Sequence, residues 1–313
     1  MRHNRITYPD RAAWLQGREQ GIGASEAATV LGLNPYETPL QLWRRKVGID
    51  PPKPQTDAMR RGHYCEDAVA QWWAHSTGRD IIAASKDDFM FVDPEREYLR
   101  VSPDRTYWLP DMPRNDDNKG ILECKTTLMA VDPDDLPQAW FCQLQMNLGV
   151  AGYSHGSLAW LARGLEFGSV DIDLVPSFYD MMAAAIEEFW LKNVKERIEP
   201  LPINAADVAA AFPTHDAGAL VEATDKQAAE CARLRQVKDA IADLEKEKAA
   251  LEDSIKMAIG PAEGIARDGR TLATWKSGKP ATRLDEKALK AEMPDIYAQF
   301  ARETPAARRF LLK

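Results

Sequence analysis

The spacing of apolar and polar residues predicts two kinds of structure before any single residue is considered. The first 80 residues read as short helices with clear punctuation. Asp10 can cap a helix reaching Gln20, and Gly21-Ile22-Gly23 breaks it. Ser25 then opens a small helix over 26–31, closed by Gly32, and Asn34-Pro35 is a turn. Thr38-Pro39 supplies a cap and a first-turn proline for a helix over 40–47, ended by Gly48. A proline-rich loop (Pro51, Pro52, Pro54) precedes a helix over 59–77. From Phe89 the pattern becomes strand-like, over 89–92, 97–102, 120–127, 154–162 and 167–175. A helix over 138–149 separates the third and fourth strands. An amphipathic helix over 177–197 follows the fifth, with Met181, Ala185, Phe189 and Val194 at helical spacing. Strands mixed with covering helices predict an α/β or α+β sheet domain, ending near Pro200-Leu201-Pro202.

The tail has another rhythm. Residues 221–259 predict one long polar helix with an apolar seam at Leu234, Val237, Ile241, Leu244, Leu251 and Ile255. The steps alternate three and four, as a coiled coil requires, and Lys248 interrupts one seat. After Gly260-Pro261 comes a hairpin over 264–276 and short helices. The expected organisation is a sheet domain over 1–203, a linker over 204–221, and a coiled-coil helix with a small α+β segment over 222–313. That last part would serve oligomer or partner contact; a self-packed helical hairpin is the alternative.

Composition narrows the class. Apolar residues make up 45% and charged residues 28% of the 313, the balance of a soluble globular protein. No stretch approaches the ~20 apolar residues of a membrane span, and the polar start lacks the centre of a secretion signal. A cytoplasmic protein without membrane contact is expected. Cys65, Cys124, Cys142 and Cys231 lie far apart with no CxxC pair, which argues for free thiols over a zinc or iron–sulfur site. The net charge of -8 means that any phosphate-binding role must rest on a local basic track. Arg44-Arg45-Lys46 and Arg60-Arg61 are the candidates, with a solvated helix face the equal alternative. His63, His75 and His155 lack metal-ligand spacing, and Trp72-Trp73 reads as one core and one edge residue.

The chemistry centres on Ser102-Pro103-Asp104 and Glu123-Cys124-Lys125. On a strand, Glu123 and Lys125 share one face while Leu122 and Cys124 share the other. A hairpin turning through Asn115-Asp116-Asp117-Asn118 brings Asp104 opposite Glu123. Two carboxylates on one sheet face are hard oxygen ligands suited to magnesium. A metal there would polarise a phosphate and acidify a bound water, with Lys125 placed to orient that water or offset charge. Alone, a D…ExK pattern is weak, because surface strands often carry Glu-x-Lys.

The surrounding residues add specificity. In order along the chain they are Gly21-Ile22-Gly23-Ala24-Ser25-Glu26-Ala27-Ala28, Leu31-Gly32-Leu33-Asn34-Pro35-Tyr36 with Leu42-Trp43, Arg61-Gly62-His63-Tyr64-Cys65-Glu66, then the Asp104 and Glu123 motifs, then Gln143-Leu144-Gln145-Met146. Together they resemble the YqaJ-like viral recombinase family, the group that includes phage lambda exonuclease, within the PD-(D/E)xK nucleases. The resemblance implies a restriction-endonuclease-like core, a mixed central sheet flanked by helices, with a C-terminal helical extension. It implies a deoxyribonuclease that hydrolyses linear double-stranded DNA 5′ to 3′ and leaves 3′ single-stranded tails for phage-type recombination. Asp104 and Glu123 would bind the metal, helped by the Cys124 backbone carbonyl, and Lys125 would be the catalytic lysine. Glu66 would support the metal site, including a second ion, and Gln143 would contact the reacting region. Arg18 and Ser25 are similar to the pair that holds the 5′ phosphate.

From the residues alone, Ser25 is equally a helix cap, Glu66 an exposed helix residue, and Gln143 and Gln145 ordinary polar positions. The implied cofactor is Mg2+, with Mn2+ as substitute and two ions bound. The implied partners are DNA ends, a phage single-strand annealing protein, and further copies of the chain in a trimer. Other outcomes of the same core are a single-strand or structure-specific nuclease and a non-catalytic DNA-end-binding adaptor. Glu26 stands where many relatives have Asp, and Thr126 where many have proline; neither is a proposed ligand.

Overall fold

The structure, a computed structural model, describes residues 4–82, 89–280, 282, 284–302 and 308–313. The chain forms two compact units, Met1–Ala211 and Phe212–Lys313. Among the described residues no helix is long and apolar enough to cross a membrane.

The first unit opens with β1 (Asn4–Thr7), α1 (Arg11–Glu19), β2 (Ile22–Gly23), α2 (Ala24–Val30), α3 (Pro39–Lys46) and α4 (Asp57–Thr77). It continues with β3 (Ile81–Ile82), β4 (Phe89–Val92), β5 (Leu99–Val101), β6 (Arg105–Trp108), β7 (Lys119–Thr127) and α5 (Gln138–Ala151). It closes with β8 (His155–Ala162), β9 (Glu166–Asp173), α6 (Pro176–Glu188), a π-helical stretch Phe189–Lys195 and α7 (Ala205–Ala211). The main sheet has the order β3-β6-β7-β8-β9, and a smaller one has the order β1-β4-β5-β2. Within the main sheet only β7 and β8 run parallel, and α5 is the crossover that such a pair needs.

Alternation along β7 decides what each face holds. Leu122 and Cys124 pack under α4, in a cluster with Val69, Ala70, Trp73, Tyr107 and Ala159. Ile121 faces the other way, into the larger core with Leu144, Met146, Leu148 and Leu158. The result is a mixed sheet with helices on both faces, as the PD-(D/E)xK resemblance implies. Trp73 is buried while its neighbour Trp72 stacks on Phe167 with ring centroids 5.1 Å apart, so the tryptophan pair divides between core and edge.

Several expectations need correcting. Ser25 does not cap α2: Gly23 occupies the cap position, its N–H donates to the Glu26 carboxylate at 3.0 Å, and Ser25 lies within the first turn. The strand expected over 97–102 is only β5, because Ser102-Pro103-Asp104 carries the chain from the small sheet into the main one, where the unforeseen β6 begins. The helix expected over 177–197 becomes π-helical at Phe189. Its buried stripe is Tyr179, Met182, Ala183, Ile186, Phe189 and Trp190, while Met181 is exposed. The adjacent Phe189 and Trp190 are both buried where the helix widens. The expected linker over 204–221 begins with α7, which belongs to the first unit; Asp207 is fully buried there and accepts from the Thr38 hydroxyl at 2.8 Å.

The second unit begins with α8 (Asp225–Ile259), capped by the Thr224 hydroxyl and Gln227 in a reciprocal box. The hairpin β10 (Gly264–Arg267) and β11 (Arg270–Thr274) turns through Asp268 and Gly269, whose φ of 50° and 78° suit an Asp-Gly type I′ turn. Two short helices follow, α9 (Glu286–Glu292) and α10 (Pro294–Phe300). Cys231 is exposed and unpaired, as are the half-buried Cys65 and the buried Cys124 and Cys142 in the first unit.

Candidate active site

The antiparallel register of β6 with β7 pairs Arg105 with Leu122, which sets Asp104 opposite Glu123. The Asp104 carboxylate accepts from the Cys124 N–H at 2.8 Å. In an extended residue the N–H and C=O leave the same edge of the strand. The Cys124 carbonyl therefore shares an edge with Asp104. Ser102 anchors the approach, its hydroxyl donating to the Phe89 carbonyl at 3.0 Å.

Glu123 is the most buried acid of the group, 1% exposed. It accepts from the Lys125 ammonium at 2.7 Å, from the Gln143 amide, and from the Asn147 amide at 2.9 Å. Gln143 and Asn147 are one helical turn apart on α5, so one helix face clamps the carboxylate. The Gln143 oxygen also accepts from Lys125 at 2.7 Å, which closes a ring of three side chains. Asn147 presents its own oxygen, buried and without a partner among the described residues, beside the same carboxylate.

The electrostatics follow from this burial. Burial first, and then the charge of Asp104, push the Glu123 carboxyl up to about 7 against the opposing pull of Lys125. Burial pulls Lys125 down, but Glu123 and Asp104 outweigh it and hold the ammonium above its ordinary value. Burial, then Asp104, push the Cys124 thiol far up, so it stays protonated on the α4 side of the sheet.

Glu66, on α4, is buried and accepts from Arg105 at 2.7 Å. Arg105 also donates to the Asp104 carbonyl at 2.6 Å and to Asp67, and so ties α4 to the start of β6. Gln145, which shares its block with Gln143, does not face the carboxylates. It donates to the Asp173 carbonyl at 2.9 Å and accepts from the Val175 N–H at 2.7 Å, fixing α5 to the chain after β9.

Arg18 and Ser25 meet across the turn between α1 and α2, the guanidinium donating to the hydroxyl at 2.9 Å. That turn needs Gly21, because a Cβ there would lie 2.2 Å from the Tyr98 carbonyl oxygen. With only seven residues, α2 offers little dipole, and the anion-binding case for Ser25 rests on Arg18 instead. One cleft of about 190 Å³ is lined by Arg18, Ser25, Arg100, Ser102, Asp104 and Gln143, with Arg11, Trp14 and His63 on its walls.

The basic run Arg44-Arg45-Lys46 is not a free phosphate track. Arg44 pairs with Asp50 at 2.8 Å, Arg45 with Glu37 at 2.9 Å, and Lys46 with Glu26 at 2.9 Å. Burial would raise the Glu26 carboxyl, but Lys46 and Arg18 outweigh it and hold it below its usual value. Arg60 pairs with Asp57. The cleft draws its positive charge from Arg11, Arg18 and Arg100. Arg100 is buried, and it donates to the carbonyls of Glu97 and Gly17 at 2.7 and 3.1 Å.

Sequence reasoning did not find Asn147, Arg100 or Arg105, and it set His63 aside for lack of metal-ligand spacing. Asn147 was reachable as the residue one turn beyond Gln143; for Arg100 no local pattern marks it out.

No three His, Cys, Asp or Glu side chains converge as a ready metal cage among the described residues. The donor set still suits a hard cation, with two carboxylates on opposed positions, a strand-edge carbonyl, and the unpartnered Asn147 oxygen nearby.

Residues 13–154 match the YqaJ-like viral recombinase domain. The uncharacterized protein YqaJ of Bacillus subtilis (strain 168) is 31% identical over 318 residues, which span 97% of this chain and 94% of the relative. Among solved structures, the alkaline exonuclease of Laribacter hongkongensis aligns over 59% of this chain and 93% of its own, with a TM-score of 0.46 and 14% identity. A phage related exonuclease from Haemophilus somnus 129PT aligns over 57% of this chain and 96% of its own, with a TM-score of 0.39 and 9% identity. With nearly the whole length shared at 31% identity, this chain belongs to the YqaJ-like viral recombinase family.

Proposed function

We propose that this cleft is the active site of a magnesium-dependent deoxyribonuclease that degrades linear duplex DNA from its 5′ ends. One observation carries the reading: Arg18 and Ser25 line the same cleft as Asp104 and Gln143, and Gln143 bonds Glu123 and Lys125. A terminal phosphate held at the first pair would present the next phosphodiester to the acids. Asp104, Glu123 and the Cys124 carbonyl would hold Mg2+, or Mn2+ in its place. Such an ion, when bound, polarises the phosphoryl oxygen and lowers the pKa of water.

The side chains supply positioning and charge. Lys125, fixed by Gln143 and Glu123, faces the phosphate and offsets the negative charge that grows on it. Arg18 fixes the terminal phosphate. The water oxygen bonds to phosphorus as the P–O3′ bond breaks. The released nucleotide gains a 3′ hydroxyl, and the shortened strand gains a 5′ phosphate for Arg18 and Ser25. Repeated, this leaves 3′ single-stranded tails, which suits a single-strand annealing protein as partner. Glu66, held on Arg105 beside Asp104, is the acid nearest to hand for a second ion. A trimeric assembly belongs to the same proposal.

The test incubates wild type and Lys125→Ala with linear duplex, with and without a 5′ phosphate, and with a covalently closed circle, in magnesium and in EDTA. The expected result is magnesium-dependent loss of the 5′-phosphorylated linear duplex, absent in the variant. Cleavage of the circle would replace this reading with an endonuclease. Binding of ends without turnover in any metal would replace it with an adaptor.

A further inference from the structure

The least satisfied surface of the second unit is the apolar row along α8. Val237, Ile241, Leu244, Leu251 and Ile255 are each 36–64% exposed. Single exposed apolar residues are ordinary, but a row at three-four spacing along a 35-residue helix of ~52 Å is a contiguous seam. Pairs within the helix, such as Lys226–Glu230 and Lys246–Asp243, brace its polar surface, and among the described residues the seam is exposed from Val237 to Ile255, with Leu234 half-buried at its start. A helix of this length draws most of its stability from burying such a stripe.

The charges beside the seam discriminate between occupants. Lys226, Arg233 and Lys238 flank its N-terminal half, and Glu245, Glu247 and Glu252 flank its C-terminal half. In a parallel pair of identical helices, Arg233 would face Lys238 of the second copy and Glu247 would face Glu252, like against like. Turned antiparallel, the basic residues flanking the seam of one helix lie toward the acidic residues flanking the seam of the other.

We propose that α8 binds α8 of a second copy as an antiparallel two-stranded coiled coil. Leu234 then packs on Leu251 of the second copy, Ile241 on Leu244, and Val237 on the aliphatic stem of Lys248. Lys238 meets Glu245 of the second copy, and the two-fold axis repeats each contact. The register is selected as well as the direction. A shift of one heptad one way sets Lys238 against Lys238, and the other way sets Glu247 against Glu247. This pairing is independent of the nuclease reading.

Crosslinking of the full-length protein tests it. Leu234→Cys and Leu251→Cys are made separately in a Cys231→Ser background, which by itself must give no crosslink. In the antiparallel pair the two copies of residue 234 lie ~26 Å apart along the axis, far beyond disulfide reach. Mild oxidation is therefore expected to link the mixture of the two variants and neither variant alone. Crosslinking of either variant by itself would overturn the direction, and an unlinked mixture would overturn the pairing.

Charge exchange guards against a helix damaged by the cysteines. Lys238→Glu and Glu245→Lys should each weaken association by about tenfold in sedimentation equilibrium, and the double variant should restore it. Losses that simply add in the double variant would refute the Lys238–Glu245 contact.

Discussion

Asn147→Ala separates positioning of Glu123 from support of the fold. The Asn147 amide donates to the buried Glu123 carboxylate at 2.9 Å, while its own oxygen is buried without a partner. A hydrogen bond to a charged group contributes about 1.5–3 kcal/mol, and an unsatisfied buried polar atom costs about 1–3 kcal/mol. Truncation removes both, so the two effects largely offset each other in folding. The melting temperature should shift by only a few degrees.

Metal binding has no such offset, because the lost donor favoured the ionised carboxylate that a cation needs. Loss of about 1.5–3 kcal/mol there means on the order of 10- to 150-fold weaker magnesium affinity. The assay is nuclease rate against magnesium concentration at fixed pH, with a thermal melt in EDTA alongside. The expected curve moves to higher magnesium and approaches the wild-type plateau. An unchanged magnesium midpoint would refute the positioning role. A melt lowered by tens of degrees would show that Asn147 chiefly holds the fold.

Four further outcomes are expected. In the metal-free protein the Glu123 carboxyl sits at about 7, above its unfolded value of roughly 4.3. The folded state therefore binds more protons between those values, so this group's contribution to stability falls as pH rises through that window. Magnesium must displace that proton, and its affinity, measured by titration calorimetry, should rise with pH to about 7 and then level off. Arg18→Ala should reduce the preference for a 5′-phosphorylated end at least tenfold, read as the ratio of rates on phosphorylated and dephosphorylated duplexes. Gly21→Ala should cost about 1–3 kcal/mol in denaturant unfolding, because its Cβ would sit 2.2 Å from the Tyr98 carbonyl oxygen. Lys46→Met should cost about 1–3 kcal/mol, because it takes the 2.9 Å partner from a buried Glu26 that keeps Arg45 at 3.4 Å and the Gly23 N–H.

Legibility followed the range of the interaction that fixes each feature. Caps and turns are local, so Asp10 and Thr38 mark helix starts that the structure contains, while the long helix expected from 221 starts at Asp225 behind a Thr224 cap that went unread. The period of two along β7 separates Glu123 from Cys124, and the hairpin places Asp104 opposite Glu123 in register. Long-range packing was not legible. The two-residue β2 and β3 exist only through pairing with β5 and β6, and they carry no pattern of their own. The change to a π-helix at Phe189 carries no signal in the sequence either; Phe189 and Trp190 are both buried there, Trp190 stacking with Tyr98.

Charge was misleading where it was densest. Arg44-Arg45-Lys46 looked like a phosphate track, yet Asp50, Glu37 and Glu26 converge on it from positions that sequence order does not relate to a binding face. The isolated Arg100, unremarkable in sequence, lines the cleft because β5 happens to run along it. Asn147 reads as an ordinary helix residue until the parallel crossover brings α5 over the middle of β7.

The central claim is that Asp104, Glu123 and Lys125 form a hydrolytic centre served by the Arg18 and Ser25 phosphate contact. Single-turnover cleavage of a 5′-phosphorylated duplex by wild type and Glu123→Gln in magnesium tests it most directly, with end binding of both measured in EDTA. The expected result is cleavage by wild type, a loss of at least 100-fold in the variant, and end binding that both proteins share. Equal cleavage by the two proteins would contradict the account, and so would binding lost together with cleavage.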